Sequence, residues 1–153
     1  MTNLTGQPAP AFELPASGDQ TISSDALDGA YVLFFYPKDD TSGCTKEAIA
    51  FTGLKDAFAE AGVTLLGCSR DTVAKHEKFI AKHDLGVTLL SDEEGSLTEA
   101  YGVWKEKQMY GKTYWGIERS TFLVDASGTV VHEWRKVKVP GHAEAVLEAV
   151  RAL

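Results

Sequence analysis

Among the side chains able to do covalent chemistry, Cys44 has the most informative setting. It lies in Tyr36-Pro-Lys-Asp-Asp-Thr-Ser-Gly-Cys-Thr-Lys-Glu47, a polar loop between an apolar run and a helical pattern, so its sulfur falls in the first helical turn. Unpaired backbone N–H groups and the helix dipole stabilise a thiolate at such a position, and a thiolate attacks electrophiles. Away from such a junction a lone cysteine is usually a small core hydrophobe. Three residues ahead stands Thr41, where a disulfide exchanger of the Cys-x-x-Cys type carries its first cysteine. A hydroxyl cannot form a disulfide, but it can hydrogen-bond a thiolate or a small oxygen-bearing substrate. That combination points to peroxide. As the thiolate attacks one oxygen, charge grows on the departing one, and the backbone amides of Gly43 and Cys44 are candidate donors to it.

The second cysteine, Cys68, closes an apolar strand pattern. Two readings stand: an inert core thiol, or the partner of Cys44 in a transient disulfide. A bridge needs the two Cα atoms within about 7 Å, hence unwinding of the first helical turn. The histidines, His76, His83, His132 and His142, do not stand at zinc-ligand spacing with either cysteine or with one another, and are read as surface residues. No metal, haem or flavin cofactor is implied.

The elements that must position Cys44 can be read from periodicity. Tyr31-Val-Leu-Phe-Phe-Tyr36 is a continuous apolar run closed by Pro37, which suits a central strand buried on both faces. Phe51, Leu54, Phe58 and Ala61 recur at helical spacing, and Gly62 ends the pattern. Val63 to Cys68 reads as a second buried strand. Val73, His76, Phe79, Ile80 and His83 mark a helix opened by Ser69 or Asp71, and a short strand follows at Val87 to Leu90. Alternating strands and helices imply parallel pairing, with functional groups gathered at the strands' C-terminal edge. Thr121–Asp125 and Thr129–Trp134 read as an antiparallel hairpin, and Ala145 to Val150 as a closing helix. The start up to about Asp28 reads as loosely structured. Trp104, Tyr110, Tyr114 and Trp115 fall in an unpatterned stretch and can cover the core, line a pocket or meet a partner. The expected class is α/β, a thioredoxin-like fold with a central mixed sheet flanked by helices, in a single domain over residues 1–153.

Composition agrees with a folded protein: 153 residues, 44 % hydrophobic and 24 % charged. A net charge of -7 disfavours nucleic acid or an acidic membrane surface as partner. The N-terminal residues lack the basic start and apolar run of a secretory signal, and no stretch approaches the roughly 18 apolar residues of a membrane span, so a cytoplasmic location is expected. In that reducing compartment a disulfide is transient rather than structural.

Phe35-Tyr-Pro-Lys-Asp-Asp-Thr-Ser-Gly-Cys-Thr-Lys-Glu-Ala48 resembles the active-site segment of peroxiredoxins, in particular the bacterioferritin comigratory protein or peroxiredoxin Q group. The similarity continues through Gly67-Cys-Ser-Arg-Asp71, Leu90-Ser-Asp92 and Gly116-Ile-Glu-Arg-Ser-Thr-Phe-Leu-Val-Asp125. The resemblance implies the peroxiredoxin type of thioredoxin-like fold. It also implies a peroxidatic Cys44, with Thr41 holding thiolate and peroxide, and with Arg119 beside the sulfur. Pro37 would shield the pocket, and Glu47, placed in the first helical turn, would support. Two departures stand out. Ser42 replaces the proline of the usual Thr-Pro-Gly-Cys, and the positions where many relatives carry a resolving cysteine are Ile49 and about Ile80 here. The expectation is therefore a one-cysteine thiol peroxidase acting on hydrogen peroxide and organic hydroperoxides. Its reductant would be thioredoxin, glutaredoxin or a small thiol, and it would be a monomer or weak homodimer. The alternatives are Cys68 as resolving cysteine, a non-catalytic redox sensor or binding module, and a thiol-disulfide oxidoreductase.

Overall fold

Tyr31–Phe35 is apolar without interruption because both faces of this strand are covered, and each of its residues is buried. In the computed structural model, which describes residues 3–153, this strand is β3 and sits inside a seven-stranded mixed sheet. The sheet is built from β1 (Glu13–Ala16), β2 (Gln20–Ser23), β3, β4 (Thr64–Ser69), β5 (Thr88–Ser91), β8 (Ser120–Val124) and β9 (Val130–Trp134). Its spatial order is β2-β1-β5-β4-β3-β8-β9. β3, β4 and β5 run parallel, whereas β8 pairs antiparallel with β3. The parallel core strands thus end together at one edge, and the chain leaving β3 enters α1 (Ser42–Gly53) there.

Two layers cover the sheet. On one face Val32, Phe34 and Tyr36 pack with Phe51 of α1, Phe58 of α2 (Lys55–Glu60), Phe79 of α3 (Val73–His83) and Val146 and Val150 of α5 (His142–Arg151). Phe34 stacks on Phe51 with centroids 4.5 Å apart, a contact worth about 0.5–1.5 kcal/mol beyond the burial of the rings. On the other face Leu33 and Phe35 pack with Cys68, Phe122, and with Leu97 and Tyr101 at α4 (Ser96–Ala100). A separate antiparallel hairpin, β6 (Trp104–Met109) with β7 (Lys112–Ile117), leads into β8.

Several expectations need correction. The helical pattern ending at Gly62 belongs to two helices: α1 begins at Ser42, Leu54 leaves helical geometry, and α2 follows. The cap of α3 is Thr72, whose hydroxyl accepts from Lys75 N at 3.1 Å, not Ser69 or Asp71. The start of the chain is not loose, since β1 and β2 form a hairpin turned by Gly18 and Asp19, both at positive φ. The stretch containing Trp104 to Trp115 is β6–β7. Its tip is exposed, with Tyr110 at 97 %, so Tyr110 does not cover the core. Two histidines are not on the surface: His76 is fully buried, and His142 is 7 % exposed.

Candidate active site

The loop from Pro37 to Thr41 delivers Cys44 to the N-terminal turn of α1, where its side chain is 2 % exposed. Thr41 is the N-cap residue, yet its side chain makes no capping bond, and the first intrahelical bond runs from Thr45 N to Thr41 O at 2.8 Å. The amides of Ser42, Gly43 and Cys44 precede that bond and point out of the helix end, a ready acceptor site for negative charge. No acidic residue stands in this first turn. Glu47 is therefore not in the first helical turn, where it was expected. It lies a turn further on, buried, with its carboxylate against Arg119.

Arg119 occupies the short link between β7 and β8, and its side chain is 16 % exposed. Its fork bridges two groups: Nη1 donates to Glu47 Oε1 at 2.7 Å, and Nη2 donates to Cys44 Sγ at 3.5 Å. Burial works against the guanidinium charge, but the Glu47 carboxylate and the Cys44 sulfur outweigh it and raise the group above its ordinary value. Burial pushes Glu47 up to about 7 despite the opposing pull of Arg119. Its Oε2 is buried without a hydrogen-bond partner among the described residues, which fits a carboxyl close to its titration point. Gly43 is part of the same construction. A Cβ there would stand 3.0 Å from Arg119 Nη2, so the absence of a side chain lets the guanidinium reach the sulfur.

The Thr41 hydroxyl donates to Lys38 O at 2.8 Å, and the residue is exposed at the N-cap of α1. With its hydrogen engaged, the oxygen offers lone pairs, so it is set up to accept from an O–H. Pro37 is half-buried and lines a cavity of about 330 Å³ shared with Trp104, Lys107, Tyr114 and Trp115 of the hairpin. Lys107 went unnoticed in the sequence. Its Nζ donates to Ile117 O at 2.5 Å, and burial, then Arg119, pull its pKa down while Cys44 and Glu118 pull it up. Nothing in a polar Lys-Glu-Lys-Gln run flags that residue. His142 Nε2 lies 2.8 Å from Thr121 Oγ1, and burial, then the charge of Arg119, lower its pKa to about 4.

Cys68 is not brought to this site. It pairs with Phe35 across β3 and β4, and both side chains belong to the core layer opposite the one that holds Cys44. Burial, then Asp92, push its thiol well above the ordinary value. An apolar, fully buried thiol of this kind is a poor nucleophile.

A thioredoxin-like sheet that carries a lone helix-start cysteine, a guanidinium on its sulfur and a threonine at the cap of the same helix defines a thiol-dependent peroxidase. Residues 5–133 match the AhpC/TSA family. Peroxiredoxin Bcp of Bacillus subtilis is 47 % identical over 152 residues, covering 99 % of this chain and 97 % of that protein. The structure of Xanthomonas campestris peroxiredoxin Q superposes with a TM-score of 0.88 at 48 % identity, covering 92 % of this chain and 90 % of that one. A trapped intermediate/ligand complex of the Xanthomonas campestris bacterioferritin comigratory protein, described for its alkyl peroxide reduction activity, gives a TM-score of 0.87 at 48 % identity with the same coverage. The chain belongs to the AhpC/TSA family and, within it, to the Bcp or peroxiredoxin Q group of peroxiredoxins.

Proposed function

We propose that Cys44 is the peroxidatic nucleophile of a one-cysteine cycle that reduces hydrogen peroxide and alkyl hydroperoxides with electrons from an external thiol. The observation that carries this reading is the 3.5 Å contact of Arg119 Nη2 with Cys44 Sγ at a helix N-terminus. The thiolate attacks the distal oxygen of ROOH, the S–O bond forms as the O–O bond breaks, and the leaving alkoxide takes a proton to become ROH or water. Arg119 and the amides of Gly43 and Cys44 face the charge that shifts from sulfur to the departing oxygen, while Thr41 accepts from the peroxide O–H and orients it. Cys44 is left as sulfenic acid. An external thiol then condenses with it, releasing water and forming a mixed disulfide. A second thiol, or a second cysteine of the same reductant, attacks that bond and returns the Cys44 thiolate.

Support for an external reductant comes from the placement of Cys68 in the opposite core layer, with Ile49 and Ile80 at the other positions where a resolving thiol is expected. Thioredoxin, glutaredoxin and small thiols are the reductant classes to compare. No helix among the described residues is long and apolar enough to cross a membrane.

Steady-state peroxide consumption coupled to each reductant tests the reading. Cys44→Ser is expected to abolish turnover with every one of them, and Cys68→Ser to leave it nearly unchanged. Activity retained in Cys44→Ser would refute the assignment, and so would rapid reduction of a test disulfide in the absence of peroxide.

A further inference from the structure

Directly behind the Cys44 loop lies a buried polar unit with no part in the chemistry described above. Asp39, in the loop itself, uses both carboxylate oxygens: Oδ1 accepts from the Tyr36 hydroxyl at 2.6 Å, and Oδ2 faces His76 Nδ1 at 2.6 Å. The other ring nitrogen of His76 lies 2.8 Å from Leu90 O. A carbonyl only accepts, so Nε2 carries a hydrogen, and the 2.6 Å contact on Nδ1 requires a further proton shared with Asp39. His76 is 0 % exposed and the Asp39 side chain 5 %, with Asp39 forming part of the floor of a cavity of about 360 Å³ that Lys75, Lys78 and Lys82 of α3 also line. The backbone of Asp39 is held as well, its N–H donating to Asp71 Oδ2 at 2.8 Å, an oxygen that also accepts from Ser69 Oγ at 2.6 Å.

These bonds join three elements that sequence keeps far apart. Tyr36 and Asp39 belong to the exit of β3, His76 to α3, and Leu90 to β5. The next residue, Asp40, turns the chain at φ +60 and is bonded at the surface to Lys82 Nζ (2.7 Å) and His83 Nε2 (2.9 Å), again on α3. Thr41 and the first turn of α1 follow at once. A loop that needed only to be covered would be lined with apolar side chains, since burying an ion pair costs desolvation that packing avoids. Directional bonds to both oxygens of Asp39 instead fix the position of its backbone.

We propose that His76 and Asp39 are a positioning pair for the peroxidatic loop: by tying residues 37–41 to α3 and β5, they set where Thr41 and the first-turn amides of α1 meet the peroxide. The inference rests on the reading of Cys44 as the peroxidatic residue. Neither side chain touches substrate. Their effect is confined to steps that need the loop's geometry, and attack on a reagent that needs only the sulfur is spared.

That split provides the test. Single-turnover oxidation of Cys44 by hydrogen peroxide and alkylation of Cys44 by iodoacetamide are measured for the parent, His76→Gln and Tyr36→Phe. Misplaced donors at the peroxide site are expected to slow oxidation by about fivefold or more, while alkylation stays level or accelerates as the loop loosens. A smaller fall in oxidation, or an equal fall in both rates, would overturn the proposal. If His76→Gln does not fold, Tyr36→Phe, which deletes one hydroxyl and keeps the ring, is judged by the same criterion. Cys44→Ser run alongside keeps the two claims separate. Peroxide consumption persisting in that variant defeats the functional reading, whereas a silent Cys44→Ser with a parent-like His76→Gln defeats the positioning pair alone.

Discussion

Gly43 and Arg119 compete for one volume: a Cβ at position 43 would stand 3.0 Å from the nitrogen that donates to Cys44 Sγ. Gly43→Ala should therefore act on the reaction more than on the fold. Alanine is the better helix former by up to about 1 kcal/mol, so Tm is expected to hold or rise slightly. Displacement of the guanidinium by a few tenths of an ångström should lower kcat/KM for peroxide by about tenfold. Paired thermal and kinetic measurements on this variant check the relation, and parent-like kinetics would count against it.

Arg119→Lys keeps the charge but loses the fork that spans Glu47 and Cys44. A point charge on a flexible stem cannot serve both contacts. The expected loss in kcat/KM is about 100-fold, and nearer 1000-fold for Arg119→Ala. Urea titration should show each variant destabilised by about 1–3 kcal/mol, because Glu47 Oε1 loses its buried donor.

Thr41 is exposed at the N-cap of α1 with its hydroxyl hydrogen committed to Lys38 O. Removing the oxygen in Thr41→Val should cost about 100-fold in kcat/KM, while Thr41→Ser, which restores it, should stay within severalfold of the parent. Stability should change by no more than about 0.5 kcal/mol in either, as for other exposed positions. Equal activity of the valine and serine variants would remove Thr41 from the mechanism.

Glu47 and His142 pull the pH dependence of stability in opposite directions. Glu47 titrates at about 7 in the folded chain, above its ordinary 4.5, so the native state holds a proton that the unfolded state has released, and stability falls as pH rises from 4.5 to 7. His142 titrates at about 4, below its ordinary 6.5, so the unfolded state binds the extra proton and stability rises with pH between 4 and 6.5. The two slopes largely offset each other in the parent. Glu47→Gln deletes one of them, and its stability relative to the parent should grow as pH is raised from 4.5 to 7, by an amount on the order of 3 kcal/mol. Denaturant titrations at several pH values measure this difference, and a pH-independent difference would contradict it.

Much of the site was legible because its signals are local. The apolar run of β3, the helical spacing of α3 and the placement of Cys44 between strand and helix are each decided within a few residues, and the structure keeps them. What escaped depends on contacts over long separations or on weak patterns. The strands β1 and β2 have four residues each and carry Pro15 inside one of them. In the hairpin β6–β7 the first strand is mostly charged and polar, the second carries adjacent aromatics, and burial is confined to the end near Trp104 and Ile117, so no alternation of apolar and polar residues marks it as a strand pair. His76 shared the spacing of Phe79 and Ile80 on the packed face of α3, a signal that it is buried. Its partner Asp39 is 37 residues away in a loop, and only the fold brings the two together. Arg119 and Glu47 are separated by 72 residues, and their pairing was likewise invisible without the sheet between them.

The central claim is that Cys44 takes the oxygen and that no second cysteine of the chain resolves it. Intact mass after oxidation of the reduced protein by one equivalent of hydrogen peroxide tests this most directly, followed by digestion to locate the change. The expected result is the gain of one oxygen atom on the peptide that contains Cys44, trapped by a sulfenic-acid reagent and reversed by added thiol. Loss of two hydrogens with a Cys44–Cys68 cross-linked peptide would contradict it.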